Sequence, residues 1–356
     1  MIALVVARTA GGTGRHVRAV AAALAAAGHQ VVVAGPRSVD ATFAFGEVAR
    51  FEPVEVATGP RPLADARAIA RLRRVLRGAE VVHAHGIRAG ALAGLALPHG
   101  VPFVVTWHNA LLGSPLRRAV WAPLERFVAR RATVTLCVSR DLADRVRALG
   151  GADVRVAPVG ARPPGAVRPR AEVRDALGAG DRPLVLAVGR LAPQKGYDVL
   201  VEAARAYEVR SPRPLTAIAG EGPLRGALAE AAEAAGVDLA LLGARADVPD
   251  LLAAADVVVM PSRWEGSPLT AHEALFSGTP LVATAVGGLP ELLGGGAAVL
   301  VPPEDPRALA EAVLRLLDDP AAATALGAAG RLRAAEWPTE DEAARRVVAL
   351  YAGLRR

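Results

Sequence analysis

The chain has 356 residues, of which 52% are hydrophobic and 4% aromatic, and its formal net charge is +7. This length allows two α/β domains, each with its own core. The low aromatic content argues against a protein that binds nucleic acid by stacking bases, in spite of the basic charge. No stretch approaches the roughly 18 consecutive apolar residues of a membrane-spanning helix, and the N-terminus lacks the basic region of a signal peptide. We therefore expect a cytoplasmic protein.

Charge is distributed unevenly along the chain. Residues 1–165 hold 22 arginines and 10 acidic residues, whereas residues 166–356 hold 20 basic and 25 acidic residues. The basic first part favours an anionic partner. Within it, residues 117–131 combine arginines with apolar side chains, a pattern typical of helices that lie on anionic lipid and also of ordinary surface helices with solvated arginines. Peripheral contact with the cytoplasmic membrane and an anionic or lipid-linked acceptor are both open.

Short apolar runs alternate with helical stretches rich in Ala, Leu and Arg, which is typical of βαβ units and parallel sheets. Each run is apolar on both faces, as are strands that helices cover on two sides. The predicted strands of the first half are IALVVA, VVVAG, VVHAH, FVVTWH, VTLCVS and VRVAPVG, and those of the second half are PLVLAVG, LTAIAG, VDLALLG, VVVMPS, PLVATA and AAVLV.

A segment dense in Pro and Gly, residues 159–170, predicts a linker between two domains. We expect an N-terminal domain over 1–165 and a C-terminal domain over 166–337. After WPTED, residues 338–356 predict a last amphipathic helix, capped by Thr339, that packs back on the N-terminal domain. The single cysteine, Cys137, lies in an apolar run and is predicted to be a buried, unreactive thiol.

Three motifs of the first half follow predicted strands, where parallel sheets bind ligands. They are TAGGTGRHV at 9–17, HAHG at 83–86 and TWHN at 106–109. The glycines of the first would let a ligand approach the N–H groups of a helix. A dinucleotide oxidoreductase is disfavoured because no acid precedes Asp40 after the second strand. His83, earlier in its strand than His85, is expected to satisfy backbone groups at the strand end. The histidines lack the spacing and carboxylates of a metal site.

Two motifs of the second half place charged residues in strand-to-helix loops. In VGRLAPQKGYDVLVEA, residues 188–203, Arg190 and Lys195, the one lysine of the chain, suit a diphosphate. In PSRWEGSPLTAHEAL, residues 261–275, Glu265 lies in a loop and Glu273 two turns into the following helix. A carboxylate such as Glu273 suits the vicinal hydroxyls of a ribose, and the helix N-terminus before it suits an anion.

In order and spacing, the chain resembles the retaining glycosyltransferases of the group 1, or family 4, type with the B-type fold. The motifs that carry the resemblance are GGTGRHV, HAHG, TWHN, CVS, VGRLAPQKG, AGEGPLR and EGSPLTAHEALFSGTPLVATAVGGLPELL, which cover almost the whole chain. The resemblance implies an α/β protein of two Rossmann-like parallel-sheet domains facing across a cleft. It also implies metal-independent, cofactor-free transfer of a hexosyl group from a nucleotide-diphosphate sugar to a lipid, sugar or small-molecule acceptor.

The resemblance further implies roles for single residues. Arg190 and Lys195 would clamp the diphosphate, Glu273 would bind the ribose, Glu265 would contact the transferred sugar and His108 would line the reacting centre. The implied catalytic residues are thus His108, Arg190, Lys195 and Glu265. The implied donor-binding residues also include Gly12, Gly189, Gly266, Ser267, Leu269, Thr270 and Glu273, and the implied acceptor-side residues are Gly11, Gly12, Arg15, His85 and Asn109.

One departure from the family affects the donor loop. Family members often have Phe-Gly-Leu after the first Glu-Gly, whereas this chain has Ser267, Pro268 and Leu269, and proline has no N–H to donate. The sequence therefore does not specify the sugar, nor the base or the acceptor. A nucleotide-sugar epimerase on the same fold and a catalytically silent scaffold subunit are the alternatives, and an epimerase would need no second substrate.

Overall fold

The computed structural model describes residues 1–9, 11–57, 59–111, 113, 115–163, 165, 167–207 and 209–354, without the side chains of residues 115, 117 and 118. The chain forms two compact units, one of Met1–Gly160 with Pro338–Arg356 and one of Ala161–Trp337. This division falls a few residues before the predicted boundary. Parts of three predicted features lie outside the described residues: Ala10 of the glycine-rich loop, Pro164 and Ala166 of the linker, and Arg355 and Arg356 of the last helix.

The described part of the first unit contains a parallel sheet of seven strands with the order β3-β2-β1-β4-β5-β6-β7. The strands are β1 (Ile2–Val6), β2 (Val31–Gly35), β3 (Arg50–Pro53), β4 (Val81–His85), β5 (Phe103–Trp107), β6 (Val134–Cys137) and β7 (Val154–Val156). The helices before the linker are α1 (Gly12–Ala26), α2 (Arg37–Phe43), α3 (Pro62–Val75), α4 (Ile87–Ala96), α5 (Pro115–Arg131) and α6 (Arg140–Ala148).

The second unit contains, within the described residues, a parallel sheet of six strands with the order β10-β9-β8-β11-β12-β13. The strands are β8 (Leu184–Val188), β9 (Leu215–Ala219), β10 (Leu239–Gly243), β11 (Val257–Met260), β12 (Leu281–Thr284) and β13 (Val299–Val301). The helices are α7 (Arg170–Ala176), α8 (Tyr197–Ala204), α9 (Arg225–Ala235), α10 (Val248–Ala254), α11 (Leu269–Ser277), α12 (Leu289–Leu293), α13 (Pro306–Asp318) and α14 (Pro320–Glu336).

The central strands are buried on both faces, as their apolar composition predicts. Every residue of β1, β2, β4, β5, β8 and β9 is buried. The edge strands differ: β3, with the sequence RFEP, was not predicted, and β7 is much shorter than VRVAPVG. Edge strands have one neighbour and partly exposed faces, so the burial that makes central strands apolar is weaker there.

Strand order reverses once in each sheet. The chain runs outward from β1 through β2 to β3 and then returns to β4 on the other side of β1, and it repeats this path from β8 through β10 to β11. In open parallel sheets, ligands bind at the carboxyl ends of the strands beside such a switch point. We therefore expect ligand sites at the loops after β1 and β4 in the first sheet and after β8 and β11 in the second.

The last helix, α15 (Glu340–Leu354), belongs to the first unit. Its residues Val347 and Tyr351 join Val17 and Leu24 of α1 in one buried apolar cluster. A capping box fixes its start, because the Glu342 N–H donates to Thr339 Oγ1 at 3.3 Å and the Thr339 N–H donates to Glu342 Oε2 at 2.8 Å. Among the described residues, we find no helix with the length and apolarity that crossing a membrane would require.

Candidate functional site

The loop after β8 presents one uncommitted cation. Arg190 is exposed, and its guanidinium has no ion-pair partner among the described residues. The backbone beside it is fixed, since the Leu191 N–H donates to the Glu221 carbonyl at 2.9 Å and the Leu224 N–H donates to the Leu191 carbonyl at 3.2 Å. Arg190 therefore extends from an ordered loop at the carboxyl end of a central strand, where it is free to bind an anion.

Lys195 and Glu265 form an ion pair between this loop and the loop after β11. Lys195 Nζ lies 2.6 Å from Glu265 Oε1, and the side chains are 19% and 7% exposed. The Ser262 hydroxyl donates to the same Oε1 at 2.7 Å. No described residue donates to the second carboxylate oxygen, Oε2. Glu265 thus keeps one acceptor for a ligand hydroxyl, and Lys195 keeps donors for an anion.

The loops after β8 and β11 touch backbone to backbone. Gly196, with φ at 63°, is the N-cap of α8, and a Cβ built on it would lie 2.1 Å from the Pro261 carbonyl oxygen. Gln194 Nε2 donates to the Trp264 carbonyl at 2.8 Å. On the other side, the Gly288 N–H donates to the Glu265 carbonyl at 2.9 Å. The Glu265 segment is therefore held in place from two sides before any ligand binds.

Helix α11 begins beside this segment. The first N–H groups of a helix, here those of Leu269 and Thr270, have no acceptor within the helix. The N-cap residue, Pro268, makes no side-chain hydrogen bond that would cap them. Glu273 lies in the second turn and is half-buried. Ser267 Oγ lies 3.4 Å from Nε2 of His272, whose pKa burial lowers to about 4. The helix start is thus a site of positive potential beside a carboxylate.

The first unit has a cavity of about 200 Å³ at the carboxyl ends of β1, β4 and β5. The loops after these strands and the first turns of α1 and α4 supply most of the lining, and Trp121 of α5 completes it. The lining residues are Ala7, Arg8, Thr9, Thr13, His85, Gly86, Ile87, Arg88, His108, Asn109, Ala110, Leu111 and Trp121.

Buried histidines lie beneath this cavity. His85 Nδ1 lies 3.2 Å from His108 Nε2, and the His16 ring is 5.8 and 5.7 Å from these two rings. Burial lowers the pKa of His16 to about 4 and that of His108 to about 3, and it lowers the pKa of His85 well below 6.5 with a further contribution from the neighbouring histidines. These imidazoles are therefore neutral at pH 7, when each carries one N–H donor and one acceptor.

His83 does not line the cavity. Its Nε2 lies 2.7 Å from Thr106 Oγ1 and its Nδ1 bonds to the hydroxyl of Tyr351, so both ring nitrogens have partners. The prediction that His83 satisfies backbone groups at the end of its strand is wrong about the partners, because both ring nitrogens bond to side-chain hydroxyls. No group of three or more His, Cys, Asp or Glu side chains within the described residues has the arrangement of a metal site.

Most predicted site residues fall into two groups, one in each unit. His85, His108 and Asn109 line the first-unit cavity, and Gly11 and Gly12 lie at the adjoining start of α1. Arg15, predicted on the acceptor side, is exposed on α1 and does not line the cavity. The remaining predicted residues lie in the loops after β8 and β11 or in α11: Gly189, Arg190, Lys195, Glu265, Gly266, Ser267, Leu269, Thr270 and Glu273.

Four of the residues that the structure brings to these groups and that sequence reasoning missed bear on their chemistry: Arg8, His16, Gln194 and Ser262. A usable signal existed for three of them. Arg8 directly follows the first strand, and His16 lies on the buried face of α1 together with Val17, Val20, Ala21 and Leu24. Ser262 lies three positions before Glu265, to which it donates, and is part of the same motif. Gln194 acts through a contact with Trp264, 70 positions away, and no local pattern contains that contact.

Helix α5 contains the pattern that suggested lipid binding. Leu116 and Val120 are 76% and 67% exposed, whereas Val128 is buried. The side chains of Arg117 and Arg118 lie outside the described residues. Membrane contact through this helix stays a prediction.

Comparisons with known proteins agree with this architecture. The family described as Glycosyl transferases group 1 matches residues 182–319, and the Glycosyl transferase 4-like domain matches residues 11–165. The alpha-D-kanosaminyltransferase of Streptomyces kanamyceticus is 33% identical, and the match covers 70% of this chain and 70% of that protein. The glycogen synthase of Mycobacterium tuberculosis is 33% identical, and the match covers 91% of this chain and 86% of that protein.

Other relatives match over less of their length. Three that are 31%, 38% and 38% identical are covered over 61%, 46% and 64% of their own lengths. Among solved structures, HepE of Anabaena in complex with UDP-glucose superposes with a TM-score of 0.85 at 19% identity, covering 99% of this chain and 100% of that one. The chain therefore belongs to the group 1 glycosyltransferase family, and its two parallel-sheet α/β units have the B-type glycosyltransferase fold.

Proposed function

We propose that this glycosyltransferase moves a hexosyl group from a nucleoside-diphosphate sugar, held by the second unit, to an acceptor held by the first, with retention of anomeric configuration and without a metal ion or cofactor. One observation carries the donor assignment. Arg190, the Lys195–Glu265 pair and the N-terminus of α11 lie together at the switch point of the second sheet.

The cations account for the diphosphate. Arg190 is exposed and uncommitted, and Lys195 shares its charge with Glu265 without using all three of its N–H donors. The first N–H groups of α11 add positive potential beside them. Charge that develops on the leaving diphosphate is best stabilised by donors that are already in place. Since these groups supply positive charge from the protein, the proposal needs no divalent cation.

The carboxylates account for the hydroxyls of the donor. Glu265 Oε2 accepts no hydrogen bond from a described residue, so it is available to a hydroxyl of the transferred sugar. Glu273, half-buried in the second turn of α11, is assigned to the ribose. Glu265 Oε1 already accepts hydrogen bonds from Lys195 and Ser262. We therefore assign this carboxylate to binding the sugar and not to nucleophilic attack. Retention is proposed from the resemblance of EGSPLTAHEAL to the retaining enzymes.

The test begins with the donor. A panel of UDP-, GDP-, ADP- and dTDP-sugars is screened for a rise in the unfolding midpoint, because a ligand that binds the native state stabilises it. The donor found is then used to measure release of free nucleoside diphosphate, and the anomeric configuration of the product is determined by NMR. We expect turnover that depends on a second substrate and persists in the presence of a chelator.

Arg190→Ala is the decisive variant, because its side chain is exposed and its loss should not disturb the fold. We expect turnover at saturating donor to fall roughly a hundredfold, as when one preformed charge-stabilising donor is removed. Arg315→Ala removes an exposed arginine of α13 in the same unit and serves as the matched control, with turnover near that of the wild type. Near wild-type turnover in Arg190→Ala would mean that the diphosphate binds elsewhere.

A further inference from the structure

The cavity of the first unit is lined by cationic and hydrogen-bonding groups that the donor assignment does not use. From its lining we infer that it binds a phosphate-type oxyanion carried by the acceptor. This inference rests on the proposed function and adds to it the chemical class of the second substrate. It depends on residues between Ala7 and Trp121, all of which belong to the first unit.

The charged lining is basic. It contains Arg8 and Arg88 and, among the described residues, no aspartate or glutamate. Arg88 is committed to the fold, because its Nη2 donates to Asp65 Oδ1 at 2.6 Å and its Nε donates to the Ala57 carbonyl at 3.2 Å. Arg8 is different: it is exposed, and its guanidinium has no partner among the described residues. One cation is therefore available to a ligand in this cavity.

Two helices begin at the cavity. Helix α1 has 15 residues and starts at Gly12, and its second residue, Thr13, lines the cavity. Helix α4 has 10 residues and starts at Ile87, which also lines the cavity together with its N-cap, Gly86. The first N–H groups of a helix have no acceptor within the helix and carry its positive end. Both helix ends thus add to the attraction of Arg8 for an anion.

A buried histidine supplies an independent sign of a ligand. His85 lines the cavity and is 2% exposed, yet its Nε2 has no hydrogen-bond partner among the described residues. Buried polar atoms without a partner are rare and call for an explanation. In the tautomer with the proton on Nε2, His85 Nδ1 accepts from His108 Nε2–H, and His85 Nε2 remains a donor. A bound oxyanion would accept that hydrogen bond.

The size of the cavity and the place of the donor site point to the acceptor. A volume of about 200 Å³ suits a charged group with its nearest carbon atoms, and is below the roughly 300–1,000 Å³ of sites that enclose a whole drug-sized ligand. The diphosphate of the donor already has Arg190 and Lys195 in the second unit. Phosphate on a soluble sugar and phosphate on a lipid carrier share the chemistry that this cavity would recognise.

The experiment titrates inorganic phosphate into the full chain saturated with the nucleoside diphosphate that the donor screen identifies. Sodium chloride of equal ionic strength is the blank, and calorimetry is the readout. Because the nucleoside diphosphate fills the donor site, further phosphate binding reports the first-unit cavity. We expect binding in the wild type that Arg8→Ala weakens about tenfold, the effect of losing one charged hydrogen-bond donor. Asn109→Asp, which places a negative charge in the lining, should weaken it as well.

Matched controls change the same charge elsewhere in the first unit. Arg67→Ala removes an exposed arginine of α3, and Gln30→Glu adds a negative charge at an exposed position, so both should bind phosphate as the wild type does. Absence of phosphate binding above the chloride blank would overturn the inference, and so would equal weakening in Arg67→Ala and Arg8→Ala.

A further arm separates acceptor from donor. The affinity for the nucleoside diphosphate alone should be lowered by Arg190→Ala and unchanged, within about twofold, by Arg8→Ala. If Arg8→Ala lowered both affinities equally, the cavity would hold a donor phosphate and the acceptor assignment would be wrong. If Arg190→Ala left nucleoside diphosphate binding intact, the assignment of the donor site would be wrong. The phosphate titration would still test whether the first-unit cavity binds an oxyanion. Acceptors with phosphate on a sugar or on a lipid carrier then distinguish the two sources.

Discussion

At the scale of single residues, the most informative contact is the one between Lys195 and Glu265. The pair is largely buried, so both charges lose most of their hydration, and each is compensated by the opposite charge of its partner. Such a pair gives little net stability, but removing one partner leaves an uncompensated charge in the interior. Loss of activity in a Lys195 variant would therefore mix a lost diphosphate contact with a disturbed loop, which makes Arg190 the cleaner test of the clamp.

The ion pair predicts that the effects of Lys195 and Glu265 substitutions on the free energy of unfolding are not additive. We expect Lys195→Ala to lower the free energy of unfolding by about 2–4 kcal/mol, because the Glu265 carboxylate is left buried without its cation. Adding Glu265→Gln should recover about 1–3 kcal/mol of this, since the unpaired charge disappears. Denaturant titration of the single and double variants measures the coupling. The same cycle on Arg307 and Glu311, an exposed i,i+4 pair on α13, should show no measurable coupling.

An additive result for Lys195 and Glu265 would contradict the ion pair. Sequence reasoning singled out both residues, because a lone lysine in an arginine-rich chain and an acid in a Gly-, Ser- and Pro-containing loop are both unusual. It assigned them to different parts of the donor and did not predict that they bond to each other. Their separation of 70 positions is bridged by the sheet, and a local pattern has no information about that contact.

At the scale of elements, the proposed donor site depends on how closely two loops approach. The loop that ends at Gly196 and the loop that begins at Pro261 follow strands β8 and β11, which are neighbours in the sheet. A left-handed glycine at the start of α8 lets the two backbones meet without a side chain between them. This contact sets the distance between Lys195 and Glu265.

Gly196→Ala should therefore be more harmful than an ordinary glycine substitution. The new Cβ would lie 2.1 Å from the Pro261 oxygen, in addition to the strain of a φ of 63°. We expect a loss in unfolding free energy well above the roughly 1–2 kcal/mol that a left-handed conformation alone costs. Gly236→Ala is the matched control, because Gly236 has a φ of 69° with open space around its Cβ position. Equal losses in the two variants would show that the loops do not constrain each other.

The predicted elements were most accurate where burial is strongest. The runs IALVVA, VVVAG, PLVLAVG and VVVMPS became β1, β2, β8 and β11, with ends displaced by at most two residues. The missed strand β3 has an arginine and a glutamate in four residues, and its single neighbour β2 supplies the pairing that its composition does not indicate. Backbone pairing at a sheet edge depends on the neighbouring strand, so it is poorly encoded by the residues of the edge itself.

At the scale of the whole molecule, two parallel sheets of the same topology were predictable because buried strands and covering helices alternate along both halves of the chain. The loops that hold the candidate site residues could also be located, since both groups of these residues follow strands beside the switch points. The electrostatic difference between the units was visible only as a count of arginines and acids. The structure adds a second difference, since four of the five histidines whose pKa values burial lowers belong to the first unit and one, His272, to the second.

This imbalance predicts that mild acid destabilises the first unit more than the second. A histidine whose pKa falls from 6.5 when unfolded to about 4 when folded, as for His16, binds more protons in the unfolded state, so its contribution to stability is complete above about pH 6.5 and is lost as pH falls below that value. Between pH 7 and pH 5 this amounts to roughly 2 kcal/mol for one such histidine. His83, His85 and His108 act in the same direction in the first unit. Carboxylates with lowered pKa values, such as Asp198, act only below their ordinary range near 3.8.

Hydrogen exchange of the full chain at pH 7 and pH 5, corrected for the intrinsic rate, separates the two units. We expect the protection of β1, β4 and β5 to fall by several kcal/mol and that of β8, β11 and β12 to fall by no more than roughly 2 kcal/mol, the share of His272. His16→Gln should reduce the pH dependence of the first unit, because glutamine does not titrate, whereas His99→Gln removes an exposed histidine and should leave it unchanged. Equal losses in both units, or a His16→Gln variant with the full pH dependence, would show that these histidines are protonated as readily in the folded chain as in the unfolded one.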